Sequence, residues 1–345
     1  MKKAWDIVRG LRHTFFCLLG FGLMTTAAFR LAAAESISAT FVAVATTIQG
    51  NGGSGSRETF FSLPLVQPVA YAGTVTAKES DTITDANAHW TNDQFNGANG
   101  SFYVEFDSGL VADITDTDGT AQTLRFPGDL QSVMTVGDSF RIRKHTTISD
   151  VFGPNNEAGL VASDNPAEAE NVILYMAETQ TRQTFFYYNV PGYQGWNRSD
   201  YTPAGNVVIH PEQGIMVARK TPGDLVIYSR GARPAGPALA PIVPGFNLVG
   251  TLKSAASLSF AELNIYTGNP TTGVYAADNP AQADNLILVG PADAGIYWYC
   301  NVLNYEGWYD TEYHPANTVM IPPGSAFFVK RKAPHGAFNW IIPAE

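Results

Sequence analysis

Hydrophobic and polar residues alternate in short runs along most of this chain, and no run between residues 60 and 145 keeps a helical period of 3.6. Alternation over four to eight residues is typical of β-strands with one buried face. In the first part of the chain this pattern predicts strands at residues 37–50, 72–77, 101–106, 110–114, 123–126 and 139–144. Turn sequences such as Asp116-Thr117-Asp118-Gly119 separate them and favour tight hairpins.

The second half of the chain contains an internal duplication. Residues 185–220 align without a gap to residues 297–332, and 15 of the 36 aligned pairs are identical. An Asp-Asn-Pro sequence precedes both copies, beginning at Asp164 and at Asp278. Self-similarity at a fixed spacing indicates a repeated structural unit, and each copy has five or six short predicted strands. The chain is therefore predicted to be all-β: an N-terminal small β barrel or sandwich followed by two tandem duplicated β units.

Changes in composition set the predicted boundaries. A Gly/Ser-rich loop and a Pro-rich stretch interrupt the alternating pattern, and a Pro-rich stretch is typically extended and semi-rigid. The predicted organisation is a signal peptide at 1–34, an N-terminal β domain at 35–138 with a Gly/Ser loop at 50–56, a first β unit at 139–231, a Pro-rich linker at 232–245 and a second β unit at 246–345.

The N-terminus has the features of a secretory signal peptide. Basic residues at positions 2, 3, 9 and 12 precede an apolar stretch from Thr14 to Ala28, and Leu31-Ala32-Ala33-Ala34 supplies the small residues before a cleavage site. The apolar stretch is shorter than the roughly 18–20 residues that span a bilayer. We therefore expect cleavage after Ala34, with Ala28 as the second choice because Arg30 interrupts the apolar run. We also expect no transmembrane segment in the mature chain, and export to the periplasm, the outer surface or the medium.

The charge of the mature chain excludes one class of partner. Cleavage would remove five of the 21 basic residues and one of the 31 acidic ones, which leaves a formal charge of −14. Such a surface repels nucleic-acid phosphates, so no nucleic-acid partner is expected.

Only Cys300 remains after cleavage, so no intramolecular disulfide can form. Its apolar aromatic surroundings in the sequence predict a buried, inert thiol.

No catalytic motif accompanies the duplication. The chain lacks a Gly-x-Ser-x-Gly elbow, a His-Glu-x-x-His sequence and a phosphate-binding loop, and no two histidines of the mature chain lie at metal-ligand spacing. The sequence therefore predicts no catalytic residue, no metal site, no cofactor and no enzyme. A glycosidase remains an open alternative, because its two carboxylates can be distant in sequence and leave no local motif.

A repeated aromatic cluster is the main candidate for ligand binding. Aromatic faces in a Gly-bearing loop can stack on sugar rings, with Asp200, Glu312, Asn189 and Asn301 as a polar rim, but the same residues can instead pack a hairpin core. The candidate residues are Tyr193, Trp196 and Tyr201 in the first copy and Tyr305, Trp308, Tyr309 and Tyr313 in the second.

Three further groups of polar residues have simpler interpretations. The Asp-Asn-Pro sequences favour turns over calcium sites, since Asn and Asp side chains bond their own backbone. The basic stretch from Arg141 to His145 favours an ion-paired strand over a phosphate site. The pairs Arg219-Lys220 and Arg331-Lys332 are expected at solvent-exposed strand ends.

Two local sequences resemble known families. Gly245-Phe246-Asn247-Leu248-Val249-Gly250, followed by Pro323-Gly324-Ser325-Ala326-Phe327-Phe328-Val329, resembles a β repeat of secreted bacterial surface proteins. Residues 90–95, 102–106 and 137–142 are similar to a small β unit of exported bacterial proteins. The mature chain as a whole resembles an uncharacterised exported family known mainly from Verrucomicrobia. The resemblance implies export and β architecture, and it implies no activity.

These observations predict an exported, non-catalytic β-repeat protein of the cell envelope or the extracellular space, with a structural or adhesive role. The alternatives are a carbohydrate-binding module that uses the aromatic Gly-Trp loops and a glycan-active enzyme. The expected partners are glycans or other envelope or matrix components. The sequence does not predict the oligomeric state.

Overall fold

The computed structural model describes residues 42–234, 236–252, 256–290 and 294–343. The predicted signal peptide, residues 1–34, lies outside the described residues and stays a prediction. The described part of the chain is nearly all β, with short antiparallel strands and one five-residue α-helix. The predicted all-β fold class is confirmed.

The fold begins with two strands joined by the predicted Gly/Ser loop. These strands are β1 (Val42–Ile48) and β2 (Arg57–Ser62). Within the loop the Asn51 side chain accepts a hydrogen bond from the Gly53 N–H at 2.9 Å, which is ordinary turn chemistry. Both strands pair with strands that follow residue 200. The first two strands therefore do not belong to a separate N-terminal domain.

The next eight strands form a domain of their own. Two four-stranded antiparallel sheets, in the orders β3-β10-β6-β7 and β4-β5-β9-β8, enclose one core. Alternation along β10 directs Phe140 and Ile142 into that core, where each is at most 1% exposed. The predicted small β domain is thus present as a sandwich-like pair of sheets. Its strands are β3 (Val69–Thr74), β4 (Ala77–Lys78), β5 (Thr82–Thr84), β6 (Phe102–Phe106), β7 (Val111–Asp113), β8 (Asp116–Asp118), β9 (Thr123–Arg125) and β10 (Ser139–Lys144).

The chain then returns to the partners of β1 and β2. The short helix starts with a capping box, in which Thr147 and Asp150 satisfy each other's backbone N–H groups. The main sheet has the order β14-β13-β12-β16-β2, and β1 pairs with β17. The elements are β11 (Thr146–Thr147), α1 (Ile148–Phe152), β12 (Asn171–Met176), β13 (Thr181–Tyr188), β14 (Gly195–Arg198), β15 (Val208–Ile209), β16 (Gly214–Arg219) and β17 (Leu225–Gly231).

The last nine strands repeat this arrangement. The main sheet has the order β23-β22-β21-β25-β19, and β18 pairs with β26. Ser259 and Glu262 reproduce the Thr147–Asp150 contact, with the Ser259 N–H donating to the carboxylate at 2.8 Å. The strands are β18 (Ala238–Ile242), β19 (Gly245–Gly250), β20 (Leu258–Ser259), β21 (Asn285–Leu288), β22 (Gly295–Cys300), β23 (Gly307–Asp310), β24 (Met320–Ile321), β25 (Ala326–Arg331) and β26 (Phe338–Ile342).

The correspondence of the two main sheets changes the predicted domain order. We use "repeat 1" for β1, β2 and β11–β17, "repeat 2" for β18–β26, and "inserted domain" for β3–β10. In repeat 1 the edge strand next to β16 is β2, and in repeat 2 the equivalent strand is β19. The strand predicted to open the first unit, residues 139–143, lies in β10, which instead pairs with β3 and β6. The N-terminal β domain is therefore inserted within repeat 1 and does not precede it.

The predicted Pro-rich linker is also partly structured. Residues 238–242 within it form β18, which pairs with β26 along its whole length. Pro241 is tolerated there because this two-stranded pair leaves one edge of β18 without a sheet partner. The C-terminal half of the predicted spacer thus belongs to repeat 2.

The two repeats contact each other through reciprocal bonds. The Ser62 N–H donates to the Gly324 carbonyl at 2.8 Å, and the Gly250 N–H donates to the Glu212 carbonyl at 2.9 Å. Ser62 is equivalent to Gly250, because their partners Gly214 and Ala326 are 112 positions apart, as are Glu212 and Gly324. An exchange of the repeats maps one bond onto the other. The repeats are therefore related by a pseudo-two-fold axis, as subunits are in a symmetric dimer.

Close backbone approach at this axis requires glycine. A Cβ added to Gly250 would lie 2.1 Å from the Cβ of Ser62, and one added to Gly214 would lie 2.8 Å from the Cβ of Ala326. Each pair of facing positions thus carries glycine in one repeat and a larger residue in the other. The surrounding apolar contact is formed by Ile173, Met216, Ala218, Leu248 and Ala326.

Candidate functional site

The two predicted platform tryptophans are core residues. Trp196 and Trp308 are each 3% exposed. Trp196 packs against Phe152, and its Nε1 donates to the Gly153 carbonyl at 2.8 Å. Trp308 packs in the same manner against Phe260. Neither indole has a free face for a sugar ring, so the prediction of a ligand role for these two residues is wrong. The reason is the period-two alternation of β14 and β23, which turns each indole towards its own core.

The tyrosines of the same cluster lie largely at the surface. Tyr193 and Tyr305 occupy the loops that precede β14 and β23, and their exposed fractions are 75% and 64%. Tyr201 and Tyr313 follow the same strands and are 51% and 55% exposed. Tyr309, the extra aromatic residue of repeat 2, is half-buried against Trp298 on the outer face of the sheet. The structure thus separates the predicted cluster into buried indoles and exposed phenols.

The turn that carries the second tyrosine is strained in both repeats. Tyr201 and Tyr313 have φ angles of 67° and 66°. A non-glycine residue in this left-handed region costs roughly 1–2 kcal/mol. Short hydrogen bonds hold the turn: the Asp200 carboxylate accepts from the Thr202 N–H at 3.0 Å, and the Asp310 carboxylate accepts from the Glu312 N–H at 2.8 Å. Equivalent backbone bonds run from the Tyr201 N–H to the Arg198 carbonyl and from the Tyr313 N–H to the Asp310 carbonyl, so the two repeats present the phenol on the same turn.

The Asp-Asn-Pro sequences are turns, as predicted. The Asn165 side chain accepts a hydrogen bond from the Ala167 N–H at 2.9 Å, and Asn279 accepts one from the Ala281 N–H at 3.0 Å. The carboxylate that follows each turn has a structural role. Glu170 and Asp284 are 0% and 1% exposed.

Each of these carboxylates binds an arginine that was predicted to be exposed. Glu170 accepts from Arg219 Nε at 2.7 Å, and Asp284 accepts from Arg331 Nη1 at 2.5 Å. Both arginines are at most 5% exposed. The prediction that these strand ends face solvent is wrong, because each guanidinium pairs with a buried carboxylate, although Arg219 Nη1 itself has no hydrogen-bond partner.

The basic stretch of the inserted domain is ion-paired. Arg141 contacts Asp107 at 2.7 Å, and the buried Arg143 contacts Glu105 at 2.6 Å. The predicted ion-paired strand is confirmed. Cys300 is buried, as expected from its surroundings in the sequence.

A second cluster of polar residues was not predicted. Asp113, His145 and His210 bring one ligand-type atom each to within 4.8 Å of the others. Asp113 ends β7, His145 directly follows β10, and His210 directly follows β15. The three residues are far apart in sequence and share no motif. They meet only because the inserted domain folds back onto repeat 1.

The contacts within this cluster are few. His145 is 2% exposed, and its Nε2 lies 2.9 Å from an Asp113 carboxylate oxygen, while its Nδ1 is buried without a hydrogen-bond partner. The His145 and His210 rings meet edge-on, with centroids 5.2 Å apart. Among the described residues, no group hydrogen-bonds the His210 ring.

A cavity of about 350 Å³ opens beside the cluster. Its lining includes Asp113, His210 and Glu212. Burial works to raise the pKa of Asp113, but the hydrogen bond and charge of His145 outweigh it and hold that pKa below its ordinary value. Burial raises the pKa of Glu212, and the nearby charge of Asp113 adds to the effect. The two carboxylates thus differ in their preference for the charged form.

We compared the chain with protein-family models, with curated proteins and with solved structures, and none of the three gave a match. No helix in the described part of the chain is long and apolar enough to cross a membrane.

Proposed function

We propose that this chain is an exported, non-catalytic β-repeat protein of the cell envelope or its surroundings, with an adhesive or structural role. Its contact surfaces are the exposed tyrosine loops of the two repeats, which we define as Tyr193 with Tyr201 and Tyr305 with Tyr313. The observation that carries this proposal is the recurrence of both exposed tyrosines in both copies of the duplication.

Burial in both copies explains five of the 15 identities between them, and it does not explain the tyrosines. Trp196 and Trp308 are identical because both fill a core. Tyr193 and Tyr305 have most of their surface in water, where packing places little demand on residue type. Tyrosine is enriched at binding interfaces, because it offers a large rigid face and a polar tip at a low entropic cost. Retention of tyrosine at such positions supports a role in contact.

Two loops on one pair of contacting repeats also favour multivalent attachment. Weak contacts add strongly when they are linked, because the second contact forms at a high effective concentration. The acidic mature chain, with a formal charge of −14, would avoid nucleic acids and act through uncharged or cationic surfaces.

Carbohydrate binding is the second candidate function. Phenol faces stack on the apolar faces of sugar rings, and Asn189 and Asn301 lie close by in the predicted polar rim. Both of these asparagines are exposed, and each donates only one long bond of 3.4 Å to a carbonyl, so their remaining polar capacity faces solvent. The burial of Trp196 and Trp308 removes the two strongest stacking groups from this candidate.

The test is attachment of the purified chain to immobilised envelope polysaccharide, to immobilised matrix protein and to a glycan array. Tyr193→Ala combined with Tyr305→Ala should reduce attachment at least about tenfold, since loss of an aromatic anchor at an interface costs more than 1 kcal/mol. The matched control is Tyr228→Ala, which removes a phenol that is 54% exposed on β17.

The outcomes separate the two candidates. Binding to defined glycans that is lost in the double variant would favour the carbohydrate module, and binding to matrix protein alone would favour general adhesion. Attachment of the double variant at the wild-type level would contradict the role of the loops. Cell fractionation tests export, and recovery of the chain only from the cytosol would end that part of the proposal.

A further inference from the structure

We propose that Asp113, His145 and His210 form a binding site for a divalent transition-metal ion of the zinc class, which fastens the inserted domain to repeat 1. The proposal is independent of the tyrosine loops. It rests on the convergence of three metal-ligating side chains from separate parts of the chain, with ligand atoms no more than 4.8 Å apart.

The spacing suits a small tetrahedral ion. Zinc bonds of about 2.0–2.1 Å place neighbouring ligand atoms about 3.3 Å apart in a tetrahedron. The Asp113 oxygen and His145 Nε2 are already 2.9 Å apart. No separation in the cluster exceeds 4.8 Å, so the widest needs to close by at most about 1.5 Å, which is within the range of a side-chain rotation.

The state of the histidines is an independent observation. His145 is 2% exposed, and the only hydrogen-bond partner that its ring has among the described residues is Asp113, itself a member of the cluster. His210 is half-buried, and no described group forms a hydrogen bond with its ring. Two imidazoles and one carboxylate are the ligand types that zinc and its neighbours in the first transition series prefer.

The surroundings supply a counter-charge and access. Asp113 and Glu212 bring two carboxylates to one cavity of about 350 Å³, which is large enough to admit a hydrated ion. A divalent cation would offset the charge of Asp113. A water molecule or Glu212 would take the fourth ligand position, as in zinc sites with three protein ligands.

The position of the cluster explains what the ion would do. Asp113 and His145 belong to the inserted domain, and His210 belongs to the turn between β15 and β16 of repeat 1. Repeat 2 has no counterpart, because the positions equivalent to His210 and Glu212 are Pro322 and Gly324. A metal ion would therefore link the inserted domain, which has no duplicate, to repeat 1.

The test uses the full chain, stripped with a chelator and titrated with Zn²⁺ and with Co²⁺. We expect one tightly bound ion per chain, a tetrahedral Co²⁺ absorption spectrum and a rise in melting temperature with Zn²⁺. His210→Ala should weaken Zn²⁺ binding by at least about a hundredfold and abolish the melting shift, since even indirect support of a metal site is worth 10–100-fold. Asp113→Asn is a second variant in case one fails to fold, with circular dichroism as the check.

The matched control is His314→Ala. His314 is a surface histidine whose Nδ1 lies 3.1 Å from Asp310 and 3.9 Å from Glu312, so it is the best alternative site for loosely held metal. Loss of binding in this variant with retention in His210→Ala would overturn the proposal. It would also be overturned if the stripped chain bound no Zn²⁺ at 100 μM, an outcome that would leave His145 and Asp113 as a simple ion pair.

Discussion

Removal of the charge of Glu170 should destabilise repeat 1 severely. Glu170 is 0% exposed, and its carboxylate accepts five hydrogen bonds. One oxygen accepts from Arg219 Nε at 2.7 Å, from Thr221 Oγ1 at 2.7 Å and from the N–H groups of Lys220 and Thr221 at 2.9 and 3.1 Å. The other oxygen accepts from the Val161 N–H at 3.0 Å. Glu170→Gln keeps the shape of the side chain but replaces one acceptor with a donor.

The magnitude follows from the burial of both partners. Hydrogen bonds to charged groups contribute about 1.5–3 kcal/mol each, roughly twice as much as neutral ones. Loss of one charge also leaves Arg219, which is 5% exposed, without a counter-ion. Breaking a buried ion pair in this way costs about 3–5 kcal/mol. We therefore expect Glu170→Gln to lower the free energy of unfolding by about 3–5 kcal/mol.

The assay is urea denaturation followed by tryptophan fluorescence, because Trp196 lies in the core of the same repeat. The matched control is Glu168→Gln, which removes an exposed carboxylate two residues earlier and should change stability by less than about 0.5 kcal/mol. Glu170→Met combined with Arg219→Met should be less destabilising than Glu170→Gln, since neither charge is then left buried alone. Equal midpoints for Glu170→Gln and Glu168→Gln would refute the reasoning.

Two further predictions concern pH and packing at the pseudo-two-fold axis. Burial opposes the charged form of Glu170, but the bonds from Arg219 and Thr221 outweigh it and hold the Glu170 pKa below its ordinary value of 4.5. The resulting stabilisation is complete above pH 4.5 and is lost as the pH falls through the lower folded-state pKa, so acid denaturation curves should show a smaller pH dependence in Glu170→Gln than in the wild type. Gly250→Ala should lower the melting temperature by several degrees, because the new Cβ meets the Cβ of Ser62 at 2.1 Å, and a second change, Ser62→Gly, should restore most of it. Failure of Ser62→Gly to rescue would contradict the assigned contact.

The sequence predicted the strands of the duplicated sheets well. The identities at a spacing of 112 aligned the two copies, and each copy was predicted to consist of short strands. The sequence did not reveal β2 as the equivalent of β19, because the six aligned positions of these strands share no identical residue. An edge strand is specified by its backbone pairing and its burial pattern, and many residue types satisfy both. The insertion was therefore invisible in the alignment.

The functional residues were less predictable for a related reason. The sequence showed that Trp196 and Tyr193 recur, but only burial distinguishes the indole in the core from the phenol in water. Arg219 was expected to be exposed, since most arginines are, and its partner lies 49 positions away. Asp113 and His210 are brought together by the docking of one domain on another. No local pattern carries that information.

The insertion gives the two repeats different demands during folding. Between β2 and β11 the chain runs through residues 63–145, whereas between the equivalent strands β19 and β20 it runs through residues 251–257. Closing the longer of these loops costs about 2 kcal/mol more when it is disordered. The inserted domain removes this cost, because β3 pairs with β10 and holds the two ends of the loop side by side. The inserted domain therefore favours the closure of repeat 1, while repeat 2 has only a short loop to close.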